Sequence, residues 1–120
     1  MNAAELEQSL SQFTGTTQYY QFHSDAWLTD GALWLADNAH CYWLLDVFYS
    51  YLFLLNGDEE SFTTLKLTKT GRRALVVIDD GNANLIARQD IEYTDFPLAE
   101  ITLYAVWEGE RWVILLPSEY

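Results

Sequence analysis

Residues 42–55 read Tyr-Trp-Leu-Leu-Asp-Val-Phe-Tyr-Ser-Tyr-Leu-Phe-Leu-Leu, and only Asp46 and Ser50 among them are plainly polar. The run holds no Gly or Pro, lacks period-two alternation and exceeds the usual length of a buried strand, so it predicts a helix. A membrane span needs about 20 apolar residues, which this run does not reach. A helix so apolar must be wrapped by the rest of the chain or by a partner. Helical spacing puts Leu44, Val47 (or Phe48), Tyr51 and Leu55 on one face and Asp46 with Ser50 on another. The simpler reading of that second face is the wet edge of a buried helix. The sharper one is a small-ligand pocket built from Tyr42, Trp43, Asp46, Tyr49, Ser50 and Phe53.

The flanking sequence supplies further helices. Asn2 with Glu5 three residues on is a capping signal, Leu6, Leu10 and Phe13 follow at helical spacing, and Thr14-Gly15 is a stop. Residues 16–22 are an extended segment. Residues 28–31, Leu-Thr-Asp-Gly, offer a second cap, with Leu33, Leu35 and Ala36 inside the helix it begins. Residues 37–39 read as a break, after which the long helix starts near His40.

The polar loop 56–60 marks a change of regime, and strands follow it. Residues 62–68 alternate once past Thr63, and 69–72 form a turn. Residues 74–78 are continuously apolar, as expected of a central strand covered on both faces. Asp80-Gly81 is a two-residue hairpin signal, residues 84–93 return, and 94–98 make a corner. Residues 101–107 and 111–116 flank a last turn at 108–110. Helices followed by hairpin-linked strands predict an α+β domain, with the helices on one face of a four- to five-stranded antiparallel sheet. At 120 residues the chain is expected to be one domain, with a helical half over 1–56 and a β-meander half over 61–117. The strands are apolar on both sides. The second face is therefore expected to be covered by a homodimer partner or by residues 19–27 folding across it.

Charge limits the partners. The formal net charge is −12. Residues 1–60 carry nine acids and no Lys or Arg, while residues 61–120 carry nine acids and all six bases, a split of −9 and −3. Such a field repels nucleic acid and anionic membranes and attracts basic partners. The candidate partner-binding residues are Glu5, Glu7, Asp25, Asp30, Asp37, Asp58, Glu59 and Glu60. One Cys gives no disulfide framework, and no basic region with an apolar run opens the chain, so a cytoplasmic protein is expected.

No reaction is legible. A metal site would draw on His23, His40 and Cys41, but no metal-ligand spacing joins them, and residues 79–84 lack the spacing of a calcium loop. No Gly-x-Ser-x-Gly elbow or Gly-rich phosphate loop is present. The chain is expected to work without metal or cofactor and without catalysis.

Several phrases occur in order: 12–16 Gln-Phe-Thr-Gly-Thr, 28–31 Leu-Thr-Asp-Gly, 42–46 Tyr-Trp-Leu-Leu-Asp, and 80–82 Asp-Gly-Asn. They continue with 91–98 Ile-Glu-Tyr-Thr-Asp-Phe-Pro-Leu and 114–120 Ile-Leu-Leu-Pro-Ser-Glu-Tyr. Together they resemble an uncharacterised bacterial domain family of unknown function, over nearly the whole chain. Residues 47–60 and 62–67 depart most from its pattern. The resemblance implies a small acidic protein of the kind encoded on plasmids, phages and other mobile elements, and it assigns no catalytic or binding residue. It adds weight to an interaction or counter-defence role. The leading expectation is an acidic interaction protein, in its most pointed form a nucleic-acid mimic that inhibits a host defence nuclease. The small-ligand domain and a structural homodimer are the alternatives.

Overall fold

The helix predicted around residue 48 forms over Tyr42–Leu52. It is shorter than expected at both ends, and the computed structural model, which describes residues 1–120, shows why. In chain order the elements are α1 (Ala3–Leu10), β1 (Tyr19–His23), β2 (Ala26–Thr29), α2 (Asp30–Asn38), α3 (Tyr42–Leu52), β3 (Phe62–Thr70) and β4 (Arg73–Asp79). They continue with β5 (Leu85–Ile91), β6 (Glu100–Trp107), β7 (Trp112–Leu115) and a 3-10 turn over Pro117–Glu119. Between α2 and α3, His40 takes a left-handed φ of 52° and the Cys41 N–H donates to the Ala36 carbonyl at 3.0 Å. That 6→1 bond is a Schellman closure. It ends α2 and delays α3 to Tyr42.

The inward face of α3 is Leu44, Leu45, Phe48 and Leu52, all fully buried. The expected quartet shared only Leu44 and Phe48 with it. Val47, Tyr51 and Leu55 are half-buried on its flank. The helix thus sits rotated from the expected seat, because Leu45 and Leu52 join Phe48 against the sheet.

The α+β class holds, but the sheet has seven strands in the order β1-β2-β7-β6-β3-β4-β5 and is mixed. The expected four or five antiparallel strands omitted β1 and β2. β2 is only four residues and leads straight into α2, so its local signal is that of a helix lead-in. It becomes a strand by pairing parallel to β7, with Ala26, Trp27 and Leu28 opposite Trp112, Val113 and Ile114. Residues 19–27 therefore widen the sheet as a β1–β2 hairpin and do not fold across it. The turn after β4 is likewise not a two-residue hairpin. A five-residue loop, 80–84, joins β4 to β5, with positive φ at Gly81 and Ala83 and the Asp80 carboxylate accepting from the Asn82 and Asn84 N–H groups.

One sheet face carries Leu65, Leu67, Val76, Ile78, Leu103, Ala105, Trp112 and Ile114, and the three helices complete a single buried cluster with it. On β4 only Ala74, Val76 and Ile78 are buried, while Leu75 and Val77 are half-buried, so that strand is fully covered on one side alone. The other face is partly roofed by the chain itself. The Arg111 guanidinium lies over Trp27 and Tyr19, 4.6 Å and 5.6 Å from the ring centroids, and Tyr120 packs on Phe62 and Tyr104. On that face Val113 and Leu115 are 3% and 7% exposed.

Two local costs are measurable. The Thr63 hydroxyl is buried without a hydrogen-bond partner, so Thr63→Val is expected to raise stability by about 1 kcal/mol in urea denaturation. His40 holds a conformation that glycine adopts freely, so His40→Gly is expected to stabilise by roughly 0.5–1 kcal/mol in the same assay.

Candidate functional site

With Leu44, Leu45, Phe48 and Leu52 turned inward, helical spacing lays Tyr42, Asp46, Tyr49, Ser50 and Phe53 along the outer side of α3. These five of the six proposed pocket residues form a ridge rather than a pocket. Trp43 points away, into a separate cleft with Ile91, Tyr93, Thr94 and Asp95. The Ser50 hydroxyl donates to the Val47 carbonyl of its own helix, 2.6 Å away. The ridge ends in Phe53 and Leu54, which are 65% and 76% exposed.

The end of the β1–β2 hairpin meets this ridge. The His23 ring stacks on Tyr49 with centroids 4.0 Å apart and planes 9° from parallel, and Phe22 meets the imidazole edge-on at 4.5 Å. His23 Nε2 lies 3.4 Å from Asp46 Oδ1. The Tyr49 hydroxyl donates to Asp25 Oδ1 at 2.5 Å. Losing that proton would remove the bond and set a phenolate against a carboxylate, so the Tyr49 pKa is pushed up to about 12, mainly by the Asp25 hydrogen bond. Tyr42 repeats the pattern at the other end of the ridge, where its hydroxyl donates to Asp37 and its pKa is raised for the same reason. Asp25 and Asp37 from the acidic set and Tyr42, Asp46 and Tyr49 from the aromatic set thus share one surface. His23 and Leu54 complete it. His23 is 23 residues from Asp46 in sequence, and no local pattern marks it.

The remaining acids do not join this surface. Asp30 is engaged internally, accepting from the Thr17 N–H, the Thr17 hydroxyl and the Tyr20 hydroxyl. These bonds, led by the Thr17 N–H, lower its pKa to about 2. Glu5 accepts from the Asn2 side chain at the start of α1, and Glu7 borders a cleft with Glu100. Asp58 accepts from the Trp107 indole at 3.1 Å, with Glu59 and Glu60 beside it in sequence. Glu100 and Trp107 are the two ends of β6, about 24 Å apart. Asp30 is thus spent inside the fold, Glu7 and Asp58 lie by opposite ends of β6, and Asp25 and Asp37 flank the α3 ridge, so the eight predicted acids do not form one face. Lys and Arg pair only with Glu100 and Glu108, so no acid of residues 1–60 is neutralised by a cation of the second half. His40 and Cys41, set aside above as a ligand pair, also part in the fold: the first is exposed and the second fully buried, its thiol pKa raised to about 12 by burial. No three His, Cys, Asp or Glu side chains converge as metal ligands, and no helix is long and apolar enough to cross a membrane.

The fold and the ridge define an acidic helix-on-sheet α+β domain with an aromatic–carboxylate surface. The chain belongs to a family of unknown function, DUF6876, whose model matches residues 4–120. A crystal structure of a protein of unknown function from Enterococcus faecalis shares the fold, with a TM-score of 0.57 at 18% identity over 86% of this chain and 98% of that one. No curated relative matches.

Because the folded-state pKa of Tyr49 lies above its ordinary value, the Asp25 bond contributes stability below about pH 10 and loses it as pH rises through about 12. Asp25→Asn is expected to return one tyrosine towards ordinary titration, read as ultraviolet tyrosinate absorbance. An unchanged titration curve would disprove the coupling.

Proposed function

We propose that this chain is a non-enzymatic interaction protein that docks a basic protein partner on the α3 ridge. The supporting observation is how Asp25, Asp37 and Asp46 are held. Their partners are the Tyr49 hydroxyl, the Tyr42 hydroxyl and the His23 imidazole, and no Lys or Arg approaches them. Hydrogen bonds from phenols orient a carboxylate without cancelling its charge. Asp25 and Asp37 are therefore fixed in place and still attractive to a cation. Phe53 and Leu54 add exposed apolar area, which supplies the desolvated contact that steering charge alone lacks. The acids at the two sheet ends add to the long-range field that brings a basic partner in.

The most pointed form of the proposal is an inhibitor that fills the basic groove of a nucleic-acid-acting enzyme, such as a host defence nuclease, with carboxylates standing where phosphates would. A small ligand is less favoured, because the aromatic residues line a ridge and not a cavity. A second copy on the open sheet face is less favoured too, since Arg111, Tyr19, Trp27 and Tyr120 already cover part of it.

Immobilised wild-type protein incubated with host lysate is expected to retain a basic protein at low salt and release it at high salt. The triple variant Asp25→Asn, Asp37→Asn, Asp46→Asn is expected to bind that protein at least about tenfold more weakly. Retention indifferent both to salt and to the triple substitution would refute the proposal.

A further inference from the structure

Away from the ridge, α1, Leu98, the start of β6 and the 116–118 segment line an open cleft of about 420 Å³. Its floor is apolar, with Leu10, Leu98 and Leu116 at 8%, 2% and 3% exposure. Two of the sequence phrases set out above meet here, for Leu98 closes 91–98 and Leu116 belongs to 114–120. Glu7 and Glu100 border the opening from different elements. Glu100 is met by Lys66 from β3 at 3.6 Å, whereas no cation pairs with Glu7. The polar rim is otherwise hydroxyl. Ser11 donates its proton to the Gln8 carbonyl and keeps lone pairs to accept, and Thr102 and Ser118 also line the cleft.

We infer that this cleft binds a small organic cation with an apolar body, of the arylalkyl primary amine class. The volume lies within the usual range of small-ligand sites, about 300–1,000 Å³. An aromatic or branched body would cover the leucine floor. An ammonium group has three protons to donate, and the rim offers the Glu7 carboxylate and hydroxyl oxygens as acceptors. Two carboxylates against a single lysine leave the opening net negative, which disfavours an anion of the same shape. A neutral isostere fits the floor but forgoes the charge-assisted bond. This site is distinct from the α3 ridge, and neither depends on the other.

The test is an amide NMR titration of the full chain with phenethylamine, phenethyl alcohol and hydrocinnamate, three probes that share a body and differ in charge. Phenethylamine is expected to shift the amides of Leu98, Thr102 and Ser118 and to saturate in the millimolar range. The alcohol is expected to bind at least about tenfold more weakly and hydrocinnamate not at all. Glu7→Gln, at an exposed helix position, is expected to weaken the amine about tenfold and leave the alcohol unchanged. Ser118→Trp, which fills the opening from an exposed residue, is expected to abolish both. The inference is overturned by an absence of shifts at millimolar amine, by equal affinity for amine and alcohol, by wild-type amine affinity in Glu7→Gln, or by shifts confined to the α3 ridge.

Discussion

The carboxylate of Glu119 ties the last turn of the chain to the start of α2, and the rest of the architecture hangs on that junction. Its Oε1 accepts from the Thr29 hydroxyl and the Leu116 N–H, and its Oε2 accepts from the Gly31 N–H. The first three N–H groups of α2 are thereby all satisfied, since Thr16 Oγ1 takes the Asp30 N–H and Thr29 Oγ1 takes that of Ala32. An acid at a helix N-terminus also meets the positive end of the helix dipole. Gly31 leaves room for this arrangement, since a Cβ would meet the ends of the Glu119 and Leu116 side chains and displace them. With α2 fixed this way, β2 lies parallel to β7. The Schellman closure at His40 then aims α3 across the sheet.

That aim decides the character of the surface. α3 presents one side to the core and the other to the end of the β1–β2 hairpin, so Asp25 and His23 arrive beside Tyr49 and Asp46. The chain has few cations, and it meets its carboxylates with phenols, an indole and an imidazole. Trp107 on Asp58 and Tyr20 on Asp30 follow the same rule as Tyr49 on Asp25. Phenol and indole donors satisfy the hydrogen-bonding capacity of a carboxylate while leaving its field intact. The abundance of tyrosine and tryptophan and the large negative charge are in this sense two sides of one arrangement.

The sequence-based expectations succeeded where the physics is local. The Asn2 cap on Glu5, the cap at 28–31, which Thr29 supplies, and the polar exit at 56–60 stand in the structure, while the break expected at 37–39 falls slightly later, since α2 runs through Asn38. Asp46 and Ser50 are indeed the wet edge of α3. The failures share a cause. β2 is a strand only because Trp112–Leu115 lies beside it, more than 80 residues later. The eight acids could not be sorted from their spacing, since Asp30 is consumed by its own neighbourhood while Asp25 is held by a tyrosine on another element. His23 could be weighed only as a metal ligand, because a stacked ring and a carboxylate 23 residues away become its neighbours only in the fold.

By itself, then, the amino-acid order determined the apolar α3 rod, the caps of α1 and α2, the run of strands after residue 60, and a first half without cations. Each of these is a property of residues within about one helical turn or one hairpin of each other, where periodicity and capping act. The seven-stranded mixed sheet, the rotation of α3 and the assembly of His23, Asp25, Asp46 and Tyr49 were decided by tertiary structure alone. They rest on hydrogen bonds and ring contacts between residues 23 to 90 positions apart, whose geometry no local pattern encodes.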